Sequence, residues 1–471
     1  MKKALAFALI LALVFSLTAC SGSSGESSSA TENSSSAVEE SSAPEESGVS
    51  DGEKVVIQMA NSGEMNENSY NGLFIKALEK AGYFEEHPNV SFENYFVAEN
   101  ADYNQKLINM ALSGSKEFDC VWISAADVGV LANGGVLMNL DDYYANETRF
   151  DLQDNEVWIT DALNNFIYYN GSAYSYPYQT DCRIAFYYKP ICEKVGYTAE
   201  NYPKTMDEFV KFCQDVSAAG YNPWGIRNGE DWTIVYEWAL PFYGSGGTFE
   251  KFDEDSQKWV ANFNNDTGKK WLQDVRTICQ TIPGDYVTSM DWDVLCSVAM
   301  NGEIACHWIG TWMWADVLQR DPEEWAKYDT ALIPAGTEYS GSSMGGWQFG
   351  ISKNCDQEKA DLIWEALAAI STDPEANAIA TSAAMPFLRE AYDYAEWATY
   401  DETKEGWANF EKQLETSQPV CTPPCEAAAN IYAGMWTVWQ EVTLDDTYSI
   451  DEGAEMLNNA IQGALDGFYG Y

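Results

Sequence analysis

Residues 55–59 read VVIQM and residues 119–124 read DCVWIS, two short apolar runs that predict buried strands. Between them, residues 70–81 and 102–113 carry apolar side chains at helical spacing, and residues 90–97 alternate as a further strand does. The alternation of strands and helices predicts an α/β fold whose parallel sheet has helices on both faces. In such sheets a ligand binds at the carboxyl ends of the strands.

The chain is long and strongly acidic. Its 471 residues exceed what one compact core usually holds, so two lobes are expected. The formal net charge is −47 at pH 7. This charge argues against a nucleic-acid partner and against docking on anionic lipid, because both carry charge of the same sign.

The first twenty residues resemble the signal peptide of a bacterial lipoprotein. Two lysines precede an apolar run at 4–15, which is too short for a stable membrane span. Shortly after this run comes Leu17-Thr18-Ala19-Cys20, which is similar to a lipobox. The resemblance implies that residues 1–19 are a signal peptide and that Cys20 becomes a lipidated N-terminus carrying palmitate. An ordinary secretory signal with an incidental cysteine is the alternative.

Residues 20–52 are rich in Ser, Glu, Ala and Gly and contain no aromatic residue. They cannot bury enough apolar surface to offset their ordering entropy, which predicts a disordered tether. A flexible coil of roughly 30 residues spans about 30 Å on average. We therefore expect a domain anchored by lipid alone on the extracytoplasmic face of the cell membrane, in a Gram-positive bacterium.

Tryptophan and tyrosine are unusually frequent, with 18 and 28 residues. Many stand beside Gly, Pro, Asn or Asp, in contexts typical of loops. An indole packs flat against the C–H face of a pyranose ring, and carboxylates and amides bind the hydroxyls at the rim of that ring. The composition therefore favours carbohydrate binding.

The chain has 11 cysteines, ten of them besides Cys20. Most of the ten lie within apolar periodic stretches, which predicts buried free thiols, as in a protein from an anaerobe. An extracellular setting also permits disulfides. Only Cys421 and Cys425, separated by Thr-Pro-Pro, suggest a local pair, and their redox state stays open.

Six passages follow one another in an order and spacing that carry more information than any of them alone. The passages are 103–119, 135–143 (GVLMNLDDY), Tyr176-Pro177 with 186–189 (FYYK), 203–209 (PKTMDEF), 299–303 (AMNGE) with Gly310, and 332–334 (LIP) with 345–347 (GGW). Together they resemble the extracellular solute-binding proteins of carbohydrate ABC importers, the group that includes maltodextrin-binding protein. The most specific passage is 203–209, in which Met206 stands where the group usually has Trp; both side chains fill an apolar gap.

The resemblance implies a two-lobed periplasmic-binding-protein fold of type II, in which a multi-segment hinge lets two α/β lobes close over a ligand. It also implies a monomer that is not an enzyme and needs no cofactor. Its partners would be a mono- or oligosaccharide and the transmembrane subunits of an ABC importer. The lobes would comprise residues 53–180 with 332–385 and residues 181–331 with 386–471, and the hinge crossings would lie near 178–183, 330–334 and 384–388.

Eight residues are expected to contact the ligand. Each is aromatic or acidic and lies near a predicted strand end, a glycine or a helix in a region where the family holds its sugar. Asp181 follows Pro177 by four residues, at a position that is acidic in that group, and Gly310 would let a ligand approach the backbone closely. The predicted contacts are Trp122, Asp127, Asp181, Trp232, Trp308, Trp312, Trp347 and Trp436.

A structural role competes with ligand contact for several of these side chains. Trp122 also suits a core position, and Asp181 would also suit an ion pair with Arg183. Trp439 is an alternative to Trp436, and core packing suits both. Asp119, a further candidate at the first strand end, would otherwise cap a helix.

Two other functions stay open from the residues alone. A lipid-anchored carbohydrate-active enzyme would use paired acids and aromatics too, although the chain contains no nucleophile elbow, phosphate loop or zinc signature. A binder of another solute would need basic residues for phosphate, and few lie near the candidates. His87 and His307 are far apart, and residues 253–255 (DED) lack the pattern of a calcium loop and predict a hairpin, so no metal is expected.

Overall fold

The computed structural model describes most of the chain after residue 53. Residues 1–53, which include the predicted signal peptide, Cys20 and the tether, lie outside the described residues, as does Cys425. All described elements belong to one unit of the chain, residues 52–471. The described residues are 54–61, 70–97, 103–229, 231–310, 312–313, 323, 326–382, 384–394, 409–410, 412–414, 419–421 and 427–471.

Strands and helices alternate in the first part of the chain, as the sequence pattern predicts. The elements up to Pro177 are β1 (Val55–Asn61), α1 (Tyr70–Lys80), α2 (Tyr83–Glu86), β2 (Val90–Phe96), α3 (Tyr103–Leu112), β3 (Cys120–Ser124), a 3₁₀ turn (Ala125–Asp127), α4 (Val128–Asn133), α5 (Asp141–Asn146), α6 (Thr160–Ile167), β4 (Tyr168–Tyr169), β5 (Ser172–Ala173) and β6 (Tyr176–Pro177).

The rest of the chain is richer in helix. Its elements are β7 (Asp181–Cys182), β8 (Ile184–Tyr188), α7 (Lys189–Val195), α8 (Met206–Ala218), a π-helical turn (Ile234–Trp238), α9 (Leu240–Tyr243), β9 (Glu250–Asp253), β10 (Lys258–Ala261), α10 (Asp266–Cys279), α11 (Gly284–Ser289), α12 (Trp292–Met300), β11 (Cys306–Ile309), β12 (Tyr328–Ala331), β13 (Ser342–Gly345), β14 (Trp347–Ile351), α13 (Gln357–Ser371), α14 (Pro374–Ala380), a 3₁₀ turn (Arg389–Asp393), β15 (Pro419–Cys421), α15 (Ala428–Leu444) and α16 (Ile450–Tyr469).

The first sheet has the strand order β2-β1-β3-β14-β6. Strand β1 pairs in parallel with both β2 and β3, which confirms the parallel sheet predicted from the N-terminal pattern. Strands β14 and β6 join in antiparallel orientation. The sheet is therefore mixed, and β14 comes from a distant part of the chain.

Helices cover both faces of this sheet. Along β3, Trp122 packs into the core that contains Phe74 of α1, whereas Val121 and Ile123 pack into the core that contains Leu107 of α3. Successive side chains of a strand point to opposite faces, so an uninterrupted apolar strand requires two covered faces.

The second sheet is antiparallel, with β8 between β11 and β12. All five residues of β8 are buried. Helix α8 packs nearby and begins with the predicted capping box, in which Thr205 Oγ1 accepts from the Glu208 N–H at 3.3 Å and Glu208 Oε2 accepts from the Thr205 N–H at 3.1 Å. The hairpin predicted at residues 253–255 is the turn between β9 and β10.

Three chain segments lie side by side where the chain passes between the two sheets. Strand β7 pairs with β13, with Asp181 opposite Gly345. Thr180 pairs with Met385 in an isolated bridge. Residues 342–345 of β13 thus lie alongside β7. They belong to the stretch between β12 of the second sheet and β14 of the first sheet.

Aromatic residues form much of the core, which is a second cause of their abundance. In one part of it, Trp271 of α10 stacks on Trp439 of α15 with centroids 4.8 Å apart and an interplanar angle of 20°. The tryptophans with less than 2% of their surface exposed are Trp122, Trp224, Trp238, Trp308 and Trp439.

The described cysteines bear out the prediction of buried free thiols. The thiols that are free and buried belong to Cys120, Cys182, Cys192, Cys213, Cys279, Cys296 and Cys306, and Cys355 is free and half-buried. The predicted pair of Cys421 and Cys425 includes a residue outside the described ranges. Within those ranges, no helix combines the length and the apolar character that a bilayer span requires.

Candidate functional site

The carboxyl end of β3 leads into the region where a ligand is expected. After Ser124 the chain forms the 3₁₀ turn that ends at Asp127, and the Ala125 N–H donates to the Gly346 carbonyl oxygen at 3.0 Å. Trp347 of β14 lies opposite Ser124. Asp127 and Trp347 are both half-buried. The strand end therefore presents a carboxylate and an indole from two distant parts of the chain.

Asp127 and Asp231 both lie close to Tyr432 of α15. Burial raises the pKa of the Tyr432 hydroxyl well above its ordinary value, and the negative charges of the two carboxylates raise it further. Burial also raises the pKa of Asp231, which accepts a hydrogen bond from the Trp232 N–H at 2.8 Å. Tyr432 and the half-buried Trp436 are four residues apart and share one face of α15. Three separate segments thus build an acidic and aromatic surface.

A buried ion pair supports Trp232. The Arg227 guanidinium lies over the Trp232 ring, 4.4 Å from its centroid, and lies 5.5 Å from the centroid of Trp292. Its Nε donates to Glu237 Oε1 at 3.0 Å, and a terminal nitrogen of the guanidinium donates to the same oxygen. Glu237 is fully buried in the π-helical turn Ile234–Trp238. The sequence predicts an ordinary helix here, and the wider turn is of a kind often found at functional sites.

A second buried ion pair supports Trp312. The Arg183 guanidinium lies over the rings of Tyr236 and Trp312, 5.0 and 4.8 Å from their centroids. It pairs with Asp181, so the ion pair that the sequence offered as an alternative role for Asp181 does form. Burial raises the pKa of Asp181 although the positive charge of Arg183 opposes that shift.

The two ion pairs are electrostatic neighbours. The charges of Arg227 and Glu237 both act on the Asp181 carboxyl, in addition to that of Arg183. Few basic residues were expected near the candidates, with Arg183 as a possible partner of Asp181, and the structure adds Arg227. Because each guanidinium is paired with a buried carboxylate, the four charges sum to zero.

Gly310 has a different role from the one expected. A Cβ atom at Gly310 would lie 1.9 Å from the Trp312 ring, so it is this indole that approaches the backbone closely. The glycine therefore seats Trp312, which is itself half-buried.

Two of the predicted contact residues lie in the core. Trp122 is 1% exposed, with Tyr178 and Phe349 packed edge-on at 4.4 and 4.9 Å between ring centroids. Trp308 is also 1% exposed and packs on Phe209 at 4.7 Å. In this conformation neither indole offers surface to a ligand, because each lies on a strand that is covered on both sides.

Of the two tryptophans on α15 one is buried and one is half-buried, and Asp119 forms an ion pair instead of the helix cap that was its alternative role. Trp439 is fully buried, whereas Trp436 on the same helix keeps part of its surface exposed. Asp119 precedes β3, at the amino end of the strand, and its carboxylate accepts from Lys359 Nζ at 2.8 Å. Asp119 therefore lies at the opposite end of β3 from Asp127.

Neither the histidines nor the acids form a metal site within the described ranges. His307 is fully buried against Phe186, with ring centroids 5.4 Å apart, and burial lowers its pKa to about 3. It is therefore neutral at physiological pH. In the part of the chain that the structure describes, no three His, Cys, Asp or Glu side chains come together as ligands would.

The family profile described as bacterial extracellular solute-binding protein matches residues 66–377, which is well over half of the chain. This chain belongs to that family. The resemblance drawn from the six passages is thereby confirmed at the level of the family.

Solved structures show which fold this solute-binding protein has. The GacH receptor of Streptomyces glaucescens, solved with acarbose, is 18% identical with a TM-score of 0.67, over 88% of this chain and 99% of that chain. Maltose-bound MalE3 of T. maritima is 18% identical with a TM-score of 0.69, over 87% and 100%. The galacto-N-biose-/lacto-N-biose I-binding protein of Bifidobacterium longum is 18% identical with a TM-score of 0.67, over 90% and 98%. The predicted two-lobed α/β fold of the periplasmic-binding proteins is thus confirmed.

Sequence reasoning missed three residues of the solute-binding protein's candidate site. Tyr432 carried a signal, since it stands one helical turn before the predicted Trp436. Asp231 also carried one, because it directly precedes the predicted Trp232. Arg227 carried none: only the tertiary fold places its guanidinium on an indole five residues away and its charge beside Glu237.

Proposed function

We propose that this solute-binding protein captures a mono- or oligosaccharide between its two lobes and delivers it to the transmembrane subunits of an ABC importer. The observation that carries the proposal is a series of half-buried aromatic and acidic residues that separate segments bring into one region. Trp347 lies opposite Ser124 of β3, the strand that leads to Asp127. The charges of Asp127 and Asp231 both act on the Tyr432 hydroxyl, and Asp231 accepts a hydrogen bond from the Trp232 backbone N–H.

The chemistry of this series suits a sugar. Indole faces pack against the C–H faces of pyranose rings, and carboxylates accept hydrogen bonds from hydroxyls. The proteins with the same fold named above were solved with acarbose or maltose, or are named for lacto-N-biose. The paired charges at Arg183 and Arg227 leave no net positive charge to attract a phosphate.

The ligand contacts proposed from the sequence are retained with one distinction. We place Asp127, Asp181, Trp232, Trp312, Trp347 and Trp436 around the ligand, with Tyr432 and Asp231 added. Trp122 and Trp308 would lie beneath this surface and support the strands that carry it, because both are 1% exposed.

We further propose that one lobe comprises residues 53–180 and 332–385 and the other residues 181–331 and 386–471. The strands support this division, since the first sheet draws on segments before 178 and after 346 and the second sheet on segments between them. The pairing of β7 with β13 and of Thr180 with Met385 supports a hinge at these three segments. Hinge closure is stabilised by a ligand only through contacts made better in the closed state.

The location proposed for the protein rests on its N-terminal sequence. Removal of residues 1–19 and lipidation of Cys20 would anchor a monomer to the outer face of a Gram-positive cell membrane through the tether at 20–52. The extracellular character of the family supports this proposal. Metabolic labelling with a palmitate analogue, compared between the wild-type chain and Cys20→Ala, tests it.

A panel experiment tests the function. The full chain is titrated with mono- and oligosaccharides while its melting temperature is followed, and each mixture is then analysed for hydrolysis products. A ligand that raises the melting temperature without turnover supports capture for transport, since only binding to the native state stabilises. Product formation, or a melting temperature that no saccharide raises, would contradict the proposal.

A further inference from the structure

Two indoles of the candidate site each carry a guanidinium on one face. Arg227 lies over Trp232 at 4.4 Å from the ring centroid, and Arg183 lies over Trp312 at 4.8 Å. Both indoles are half-buried, whereas the two arginines are 5% and 4% exposed. The cations are therefore held inside the protein, each against an indole that keeps part of its surface exposed.

Each guanidinium is fixed by groups other than the indole. Glu237 accepts two hydrogen bonds from Arg227 in the fully buried π-helical turn. The Arg183 guanidinium pairs with the Asp181 carboxylate. A planar guanidinium held by a carboxylate presents a rigid face to an aromatic ring.

Each arginine also lies near a second aromatic ring. Arg227 lies 5.5 Å from the Trp292 centroid and Arg183 lies 5.0 Å from that of Tyr236. Each cation thus has two aromatic neighbours, and displacement of the guanidinium would break contacts on both. This arrangement limits the orientations that Trp232 and Trp312 can adopt.

We propose that Arg227 and Arg183 are positioning residues that hold the indole planes of Trp232 and Trp312 ready to stack on a sugar ring. The inference rests on the proposed function, because it concerns the same ligand. A stacking surface that is ordered before binding avoids the entropy lost when a mobile side chain is immobilised. A cation over one face of an indole contributes an attraction that water screens little at a buried site.

Arg227 allows the sharper test, since its carboxylate partner is not a proposed ligand contact. In the double variant Arg227→Met with Glu237→Gln, the cation and its counter-charge are removed together, so no unpaired buried charge remains. Arg227→Lys keeps a positive charge but loses the planar face. Affinity for the best saccharide of the panel is measured by titration calorimetry, and the melting temperature shows that each variant is folded.

The ring itself is followed by ¹⁹F NMR of protein labelled with 5-fluorotryptophan. The resonance of Trp232 is assigned by its disappearance in Trp232→Phe. We expect the double variant to bind about two- to tenfold more weakly, the range that immobilising one side chain on binding corresponds to. We also expect the Trp232 resonance to shift or broaden, with Arg227→Lys intermediate in both measurements.

Lys258→Met is the matched control. It removes a cation that lies 4.3 Å from the Tyr471 ring, on the β9–β10 hairpin. We expect this variant to leave both the affinity and the Trp232 resonance unchanged. A general effect of losing a cation–π contact would appear in it as well.

The outcomes separate this inference from the proposed function. Wild-type affinity in the double variant or an unaltered Trp232 resonance would overturn the positioning role, and the proposed function would stand as long as the wild-type protein binds a saccharide. If Arg227→Lys binds as weakly as the double variant, a planar face is required and the role is supported. A wild-type protein that binds no saccharide would overturn the proposed function and this inference with it.

Discussion

Gly345 lies so close to Asp181 that a Cβ atom on it would stand 2.9 Å from the carboxylate Oδ1. It would also stand 3.1 Å from the Arg183 guanidinium. Strand β13 can therefore pair with β7 beside the buried ion pair only because this position has no side chain. The Gly-Gly-Trp passage at 345–347 thus contains both the close pairing of β13 with β7 and one indole of the candidate site.

Replacement of Gly346 by alanine should destabilise the fold. Gly346 has a φ of 138°, and its Cβ would lie 2.1 Å from the Gln179 carbonyl oxygen. Strain and overlap together should lower the free energy of unfolding by about 2–4 kcal/mol in urea titrations. Gly463→Ala is the control, since the site in α16 has open space and helix propensity favours alanine by about 0.5–1 kcal/mol. Equal stability of the two variants would contradict the close approach.

Removal of the Glu237 carboxylate alone should strongly lower the free energy of unfolding. Glu237→Ala leaves the buried Arg227 without its counter-charge, which costs about 3–5 kcal/mol in comparable pairs. Urea unfolding of the variant should show a loss of this size. Asp215→Asn, which breaks the largely exposed pair with Lys211, serves as the control and should have a far smaller effect. A mild effect of Glu237→Ala would mean that the pair is more hydrated than the structure shows.

The stability of the protein should fall as the pH rises from 6.5 to 8. Glu250 is 1% exposed, and burial raises its pKa from 4.5 to about 8. The folded state therefore holds a proton that the unfolded state has lost, so the free energy of unfolding decreases by up to about 1.4 kcal/mol per pH unit until the folded-state pKa is passed. Below pH 6.5, His307 contributes a stability that increases with pH, because burial lowers its pKa to about 3 and only the unfolded state then binds the proton.

Glu250→Gln isolates this contribution. Urea unfolding of the variant between pH 6.5 and 8 should lack the decrease that the wild-type protein shows. Glu254→Gln, on the exposed turn of the same hairpin, should keep it. The same pH dependence in all three proteins would rule out a neutral buried Glu250.

Loss of the Trp347 indole should weaken saccharide binding without unfolding the protein. The side chain is half-buried at the start of β14, opposite Ser124 of β3, and part of it packs against the core, so Trp347→Ala removes a stacking surface together with some core packing. We expect the binding free energy to weaken by about 1–2 kcal/mol, which raises the Kd measured by calorimetry about five- to thirtyfold. Trp259→Ala on the β9–β10 hairpin is the control and should bind as the wild type does. Unchanged affinity in Trp347→Ala would remove this indole from the proposed site.

The buried thiols should be unreactive in the native state. Burial raises the pKa of Cys306 above its usual range and that of Cys279 to about 12, which suppresses the nucleophilic thiolate. Burial also raises the pKa of Cys355 to about 12, so access alone should let a disulfide exchange reagent modify this half-buried thiol before the described buried ones, which should react only in denaturant. Mass spectrometry of the modified peptides gives the order. Early labelling of Cys306 would indicate opening of the second sheet.

Local sequence patterns predicted the secondary-structure elements well, because the formation of each element depends mainly on residues close to one another in the sequence. The strands at 55–59 and 119–124, the capping box of Thr205 and Glu208 and the hairpin at 253–255 are all present. The wider turn at 234–238 was not predicted, since an α-helix and a π-helix share the same apolar pattern over so few residues.

Whether a given indole is buried in the core or partly exposed was harder to predict than the secondary-structure elements. Trp122 and Trp308 lie on strands in which the residues of both faces are mostly apolar. Such a pattern indicates burial on both faces, but only the tertiary structure shows that the second face of each strand is covered. Trp232, Trp312, Trp347 and Trp436 stay partly exposed because they lie near turns, at a strand end or on a helix face beside other segments.

By itself, the sequence determined the family, the α/β class and the parallel start of the first sheet, because apolar periodicity and ordered motifs are properties of short stretches. The tertiary structure alone decided that Gly345 meets Asp181, that Tyr432 lies near both Asp127 and Asp231, and that guanidiniums lie on Trp232 and Trp312. These contacts join segments whose separation along the chain carries no periodic signal. Burial then changes their chemistry, because a charge removed from water requires a partner that only the fold can supply.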